Sequence, residues 1–151
     1  IIKIIHIPGH TSGHICFFFE KEKIAFTGDT LFSLGCGRIF EGDYKQMLAS
    51  LNKIKKLPED TKIYCGHEYT LNNGKFCMEQ DKGNADLIKK FEEIRILRSK
   101  NLPTIPTILK DELKSNIFLR CDENALKIKL NMENIEDYKV FKKVRDLKDV
   151  F

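Results

Sequence analysis

Three loops of the sequence offer side chains of the kinds that bind metal ions. His10, Asp29 and His67 each come directly after a Gly or Pro-Gly break that ends a run of mostly apolar residues. Imidazole and carboxylate groups are the ligands that zinc and iron take in hydrolytic sites. A single histidine at the end of a strand is more often a hydrogen-bonded loop residue. The prediction of a metal site therefore depends on the three loops lying at one end of a sheet.

The elements that must position these loops are short strands. Runs rich in Ile and Phe, bounded by turn-forming residues, predict strands over residues 1–7, 14–19, 24–27 and 62–65. Between the last two, the spacing of Asp43 and Gln46 is typical of the start of a helix, and apolar residues then fall on one face until Pro58. The order strand, helix, strand predicts an α/β fold with a helix packed on a sheet.

The second half of the sequence is mostly helical in pattern. We predict four helices. They lie over about residues 70–80, over a segment that begins at the cap residue Asn84 and contains an apolar stripe, over a short segment that begins at Thr107, and over residues 137–148. That stripe consists of Leu87, Ile88, Phe91, Ile94 and Leu97. Residues 125–130 alternate between apolar and charged types, and this pattern is compatible with either an extended segment or a loop. A boundary at Lys82-Gly83 divides the chain into residues 1–83 and 84–151.

Composition excludes several classes of protein. The chain has 151 residues and a net charge of +4, too small and dispersed to indicate nucleic-acid binding, although a mildly basic protein favours an anionic substrate. It has no apolar run of about 18 residues and no visible signal peptide, so we expect no membrane partner. Five unevenly spaced cysteines suit a reducing compartment. We expect the cytoplasm, with a mitochondrion or another organelle as alternatives, because a targeting segment could have preceded Ile1.

Four motifs occur in a specific order: Pro8-Gly-His-Thr-Ser-Gly-His14, Thr27-Gly-Asp-Thr-Leu-Phe32, Gly35-Cys-Gly-Arg38 and Cys65-Gly-His-Glu-Tyr-Thr70. Together they resemble the glyoxalase II family, the hydroxyacylglutathione hydrolases of the metallo-β-lactamase fold. The resemblance implies that residues 1–83 form the second half of an αββα sandwich and that residues 84–151 form a small α-helical substrate-binding domain. The family's first-half motif His-x-His-x-Asp-His does not occur here. We therefore expect a carboxy-terminal portion whose partner is the amino-terminal half of the fold, with one sheet face left uncovered.

The resemblance also implies a reaction. Such enzymes hydrolyse S-(2-hydroxyacyl)glutathione, such as S-D-lactoylglutathione, to glutathione and a 2-hydroxy acid such as D-lactate, the last step of methylglyoxal detoxification. The centre would contain two divalent metal ions, zinc first, with iron or manganese as alternatives. His10 would bind one metal and His67 the other, while Asp29 bridges them beside the catalytic hydroxide. Each metal then has two protein ligands from this chain, so we expect the chain by itself to be inactive or very slow.

The substrate contacts implied by the resemblance lie in several segments. Arg38 would face the peptide part of glutathione, Tyr69 and Asn73 would supply hydrogen bonds, and Arg145 with Lys148 would bind its carboxylate. The alternative for Arg145 and Lys148 is a pair of solvent-exposed charges near a helix end. Members of the family carry Tyr at the position of Phe40, so that site is left with apolar contact. We expect His14 to be structural.

Two other functions stay open at this point. A persulfide dioxygenase has the same His and Asp motifs but binds a single iron, and the long helical extension of this chain argues against it. A non-catalytic module that merely retains the motifs is the second alternative. A cysteine nucleophile at Cys36 is disfavoured because the sequence around it indicates no base.

Overall fold

The computed structural model describes residues 1–151 and contains seven strands, six α-helices and one short 3-10 helix. The strands are β1 Ile2–His6, β2 Ile15–Phe19, β3 Ile24–Gly28, β4 Leu31–Phe32, β5 Gly35–Cys36, β6 Lys62–Cys65 and β7 Thr107–Ile108. The α-helices are α1 Tyr44–Lys55, α2 Thr70–Gln80, α3 Ala85–Ser99, α4 Leu109–Ser115, α5 Asn124–Lys129 and α6 Asp137–Asp149, and the 3-10 helix is Ile117–Leu119. None of the helices combines the length and the apolar character that crossing a membrane requires.

The main sheet has five strands in the order β1-β2-β3-β6-β7. The pairs β1/β2, β2/β3 and β6/β7 are antiparallel, whereas β3 and β6 are parallel and are joined by a crossover through α1. Strands β1, β3 and β6 therefore all run in the same direction. Their carboxyl ends lie at one edge of the sheet, which is the edge where the three candidate ligand loops begin.

One face of the sheet is buried under α1 and the helical half. Alternate residues of the strands point into this core, as the pleat requires, and among them Cys16, Ala25 and Ile63 have no exposed surface. Asp43 caps α1 as predicted, accepting a hydrogen bond from the Gln46 amide at 2.8 Å. A single cluster of 25 buried apolar residues extends from the sheet to α6. The division at residues 83 and 84 stays a prediction, and the core is continuous across it.

The opposite face of the sheet is exposed and apolar. Ile4, Phe17 and Phe26 are exposed by 66%, 42% and 44%. Phe26 stacks on Tyr64 across the parallel pair, with ring centroids 5.3 Å apart. Strand alternation alone would allow polar residues here, so large apolar side chains on this face mark a surface that a partner can cover.

The helical half differs from the sequence expectation at three places. Thr107 does not begin a helix: it pairs with Ile63 in β7, and α4 begins at Leu109. Residues 124–129 are helical rather than extended or looped, because Leu126 and Leu130, four residues apart, are both buried. The stripe on α3 is only partly buried, with Leu87 and Ile94 in the core and Ile88 exposed by 47%.

A buried carboxylate on α4 joins the helical half to the β4–β5 hairpin. Glu112 has no exposed surface, and it accepts hydrogen bonds from the Ser33 hydroxyl at 2.9 Å and from the Leu34 amide at 2.8 Å. Lys90 is its counter-ion, at 2.5 Å. Burial by itself would raise the pKa of Glu112, but Lys90 and the hydrogen bonds outweigh burial and lower that pKa. The carboxylate is therefore ionised and fixes the hairpin on α4.

Candidate metal centre

The structure brings the three predicted ligands together at the carboxyl edge of the sheet. Nε2 of His10 lies 3.6 Å from Oδ2 of Asp29, and Nε2 of His67 lies 3.3 Å from Oδ1 of the same carboxylate. Each oxygen of Asp29 thus faces a different imidazole. The side chains are partly exposed, by 17% for His10, 27% for Asp29 and 47% for His67, so a ligand can reach them.

No three His, Cys, Asp or Glu side chains converge closely enough to hold one metal ion by themselves. The donor set instead has the form of a carboxylate placed between two imidazoles. Such a set fits two cations that share the carboxylate and each bind one histidine. Each such cation would have two ligands from this chain, where a catalytic zinc ordinarily has three protein ligands.

The hydrogen bond of His10 supports this fit. Its Nδ1 lies 2.8 Å from the Arg38 carbonyl oxygen, which can only accept, so Nδ1 carries a proton. In a neutral ring Nε2 then presents its lone pair toward the Asp29 carboxylate. Two electron-rich atoms face each other favourably only across a proton or a metal cation. A metal-binding histidine is commonly oriented by a hydrogen bond from its other ring nitrogen to a backbone carbonyl.

Two glycines allow the loops to approach this closely. A Cβ on Gly37 would lie 1.9 Å from the Asp29 carbonyl oxygen, and a Cβ on Gly66 would lie 2.4 Å from Asp29 Oδ1. Either side chain would collide with the candidate centre. In the sequence both glycines mark loops. Gly66 directly precedes His67, which was the available signal for it, whereas Gly37 lies in the Gly35–Arg38 motif and is adjacent to none of the three ligands.

His14 supports the centre without facing it. Its Nε2 accepts a hydrogen bond from the Asp29 amide at 2.9 Å, so it holds the Asp29 loop in place. Burial, together with the nearby His10 ring, lowers the pKa of His14. A neutral ring with Nε2 as acceptor places its proton on Nδ1, 3.2 Å from the Thr11 hydroxyl. This contact agrees with the structural role expected for His14.

A cleft of ≈ 390 Å³ opens over the three ligands, and all nine predicted site residues line it. Its lining is His10, Asp29, Phe32, Cys36, Gly37, Arg38, Phe40, His67, Tyr69, Asn72, Asn73, Arg145 and Lys148. Phe32 was not among the predicted site residues, although its ring packs edge-on against His67 and Tyr69. The apolar pair that ends the Thr27–Phe32 motif was the only signal for it.

Four of the predicted substrate residues present accessible groups. Phe40 is exposed by 69% and lies 4.9 Å from the His10 ring, while Tyr69 is half-exposed and stacks on His67 at 4.8 Å. The Arg38 side chain is largely exposed at the rim. Lys148 lies near the rings of Phe76 and Phe151, and burial and the Arg145 guanidinium lower its pKa. The cleft thus has a cationic wall and an aromatic wall.

The other two predicted substrate residues are buried and already bonded. Asn73 is exposed by 5% and donates to the Ser33 carbonyl at 3.2 Å. Arg145 is exposed by 4%, and its guanidinium donates to the Cys36 carbonyl and to the Asp149 carboxylate. Arg145 is therefore not the solvent-exposed charge that was considered as its alternative.

Comparisons with known proteins identify relatives of both halves of the chain. Residues 68–151 match the family described as hydroxyacylglutathione hydrolase C-terminus, and residues 1–67 match the metallo-beta-lactamase superfamily. Relatives named hydroxyacylglutathione hydrolase include one from Pelagibacter ubique, 58% identical over 99% of this chain, and one from Chelativorans, 48% identical over 99%. The chain spans 56% and 58% of the length of those two relatives.

A solved structure of a metallo-beta-lactamase from Staphylococcus aureus covers 99% of this chain and 38% of its own chain. Its TM-score is 0.53 and its sequence identity is 20%, so it supports the fold alone. The expected fold, a part of the metallo-β-lactamase fold followed by a helical region, is therefore confirmed. The family match over residues 68–151 and the motifs around the three ligands lead to one assignment. The chain belongs to the hydroxyacylglutathione hydrolase family.

Proposed function

We propose that this chain forms the metal-bridging and substrate-binding part of a thioester hydrolase that converts S-(2-hydroxyacyl)glutathione and water to glutathione and a 2-hydroxy acid. S-D-lactoylglutathione, which gives D-lactate at the end of methylglyoxal detoxification, is the proposed substrate. The observation that supports this most directly is Asp29, whose two oxygens face His10 and His67 at 3.6 and 3.3 Å under a cleft with a cationic wall.

His10, Asp29 and His67 would hold two divalent ions, with zinc preferred over iron and manganese. Ions bound there would polarise the thioester carbonyl and lower the pKa of a coordinated water to about 7. The chain's own residues orient the reactants. The Arg38 carbonyl and the Asp29 amide contacts keep the ligand loops fixed, and the ring of Tyr69, which stacks on His67, would border the reacting carbonyl.

The substrate would lie along the cleft with its peptide part toward the rim. Arg38 would face the peptide, the Tyr69 hydroxyl would donate a hydrogen bond, and Lys148 would pair with the carboxylate. Phe40 offers apolar contact only, because it has no hydroxyl. Asn73 and Arg145 would border the substrate from behind, since their donors already have partners within the chain. A thiol leaving group with an ordinary pKa near 8.5 departs without a general acid.

We also propose that the exposed sheet face is covered by another part of the fold. This is the part of the longer relatives that lies outside the region matched by this chain. Ile4, Phe17 and Phe26 on this face are exposed apolar side chains of the kind that pack between two sheets. The same part would complete the coordination of both metals. We propose a cytoplasmic location, with a mitochondrion or another organelle as alternatives, because five free thiols suit a reducing compartment.

The test compares Asp29→Asn with Asp60→Asn, a matched change at an exposed surface aspartate. Zinc binding is measured by equilibrium dialysis, and S-D-lactoylglutathione hydrolysis is followed with and without the unmatched part of the Pelagibacter relative added in trans. We expect two zinc ions per complex, slow turnover by the chain alone, and activation in trans, all abolished by Asp29→Asn and retained in Asp60→Asn. Unchanged zinc binding by Asp29→Asn would refute the site.

The same assay separates the alternatives. One iron per chain, with oxygen uptake on a glutathione persulfide and no thioester hydrolysis, would indicate a persulfide dioxygenase. Zinc binding without turnover in any combination would indicate a non-catalytic module.

A further inference from the structure

Arg145 of α6 is committed to a structural contact inside the protein. Its Nη1 donates to the Cys36 carbonyl at 2.7 Å, and its Nε and Nη2 donate to one oxygen of Asp149 at 3.2 and 2.9 Å. The guanidinium also lies 5.1 Å from the centre of the Phe118 ring. With 4% of the residue exposed, its charge is balanced and its orientation is fixed before any substrate arrives.

The Cys36 carbonyl belongs to a three-residue segment, Cys36–Arg38, that lies directly against the candidate metal ligands. The Gly37 amide donates to the Thr30 carbonyl at 3.2 Å, and the Arg38 carbonyl accepts from His10 Nδ1 at 2.8 Å. The close approach of Gly37 to Asp29 leaves the segment no room for a Cβ. Arg145 therefore contacts this segment at the Cys36 carbonyl, in the peptide bond whose amide is that of Gly37.

We propose that Arg145 is a positioning residue for His10, acting through the backbone of Cys36–Arg38. By fixing the Cys36 carbonyl, the guanidinium fixes the Arg38 carbonyl two residues later, and that carbonyl sets the orientation and tautomer of the His10 ring. The significance of this contact for metal binding rests on the proposed function. The positioning itself does not, because it concerns contacts present without metal or substrate.

This role differs from the direct contact with a substrate carboxylate that the family resemblance implies for Arg145. A direct grip predicts that removing Arg145 weakens glutathione binding and leaves the substrate-free site unchanged. A positioning role predicts that the substrate-free, metal-free site changes first. Lys148 provides the matched comparison, since it lies on the same helix and lines the same cleft without a hydrogen bond to the Cys36–Arg38 segment.

The experiment uses the 151-residue chain with Arg145→Met, Arg145→Lys or Lys148→Met. Hydrogen exchange of the Gly37 amide and the ¹⁵N shifts of the His10 ring are measured by NMR without metal, at about pH 8, where an ordinary imidazole is neutral. We expect Arg145→Met to speed Gly37 exchange by about tenfold or more and to mix the His10 tautomers, because a charge-assisted hydrogen bond is lost. Arg145→Lys keeps one donor and should recover part of the effect, and Lys148→Met should show none.

Exchange of the Phe18 amide in the central sheet reports whether the fold survives, and Arg145→Lys decides the question if Arg145→Met unfolds. Zinc affinity should fall by about 10- to 100-fold in Arg145→Met and stay unchanged in Lys148→Met. Unchanged Gly37 exchange and His10 shifts in both Arg145 variants, with glutathione binding weakened as in Lys148→Met, would overturn the proposal. If His10→Ala leaves zinc binding intact, the proposed function fails, whereas the Gly37 and His10 measurements still decide the positioning role.

Discussion

Replacement of Gly66 by alanine should disable the candidate centre while leaving the fold intact. Gly66 does not have the left-handed backbone conformation that glycine alone adopts easily, so alanine fits the backbone. The added Cβ would lie 2.4 Å from Oδ1 of Asp29. That oxygen is the one that faces His67. The cheapest relief is a rotation of the Asp29 side chain, because its carboxylate is the mobile partner in the collision.

The size of the effect follows from contact distances. An ordinary carbon–oxygen contact is about 3.5 Å, so Oδ1 must move by about 1 Å from its present place. A zinc–oxygen bond is about 2.0–2.2 Å long and does not survive a displacement of that size. A misplacement of about 1 Å costs about 100-fold in rate. We expect a loss of this order in thioester hydrolysis and a drop of at least tenfold in zinc affinity.

The assay has a matched control in Gly13→Ala, in the loop that contains His10. A Cβ on Gly13 meets nothing within 4 Å, so this variant should behave as wild type. Zinc affinity by calorimetry, hydrolysis of S-D-lactoylglutathione in the complemented complex, and the urea midpoint are compared for the two variants. Full zinc affinity and activity in Gly66→Ala, with an unchanged urea midpoint, would refute the idea that Asp29 must stay where the structure has it.

Three further predictions concern charge and cysteine chemistry. Because the pKa of Lys148 is lowered from 10.5, this lysine loses its charge at a lower pH than an ordinary lysine. Glutathione binding, measured by calorimetry, should therefore weaken as the pH rises toward 10.5, and this weakening should be absent in Lys148→Met. Glu112→Gln should lower the free energy of unfolding in urea by about 3 kcal/mol at neutral pH, since it leaves Lys90 without its partner. Because the pKa of Glu112 is lowered in the folded protein, its carboxylate stabilises the fold above about pH 4.5 and that stabilisation is lost at lower pH. The decrease in stability on acidification should therefore be smaller in this variant than in wild type. All five thiols should react with a thiol reagent after denaturation, and fewer than five would contradict a reducing compartment. In the native protein Cys16 and Cys77 should react slowly, because burial raises the pKa of Cys16 to about 11 and that of Cys77 to about 12.

The sheet half of the fold can be predicted from the sequence because the patterns that indicate it are local. A β-branched run that ends in Gly or Pro-Gly fixes both a strand and the loop after it, and Asp43 caps α1 as its spacing predicts. Placing His10, Asp29 and His67 at one edge needs only that β1, β3 and β6 run the same way. The metal roles of these residues and their substrate contacts stay predictions.

The helical half is less legible because tertiary contacts decide it. Thr107 joins β7 because Ile63 offers a strand edge 44 positions away, and no local pattern indicates that pairing. Leu126 and Leu130 form a helix against an alternating pattern because the core receives both side chains. Charge is no better a local guide. Nothing in the sequence around Glu112 and Arg145 indicates burial, yet both are buried and hydrogen-bonded to backbone groups far along the chain.

The contact of Glu112 with the β4–β5 hairpin limits how such proteins can exchange parts. A chimera that took its helical half from a relative without a carboxylate at this position would leave the Leu34 amide and the Ser33 hydroxyl buried without an acceptor. An unsatisfied buried donor costs about 1–3 kcal/mol, so two of them would consume much of a small domain's stability. The hairpin Leu31–Cys36 would have to be inherited together with α4, although about 70 residues of sequence separate them. A recombination boundary placed by sequence alone, between the sheet half and the helical half, would divide a single structural unit.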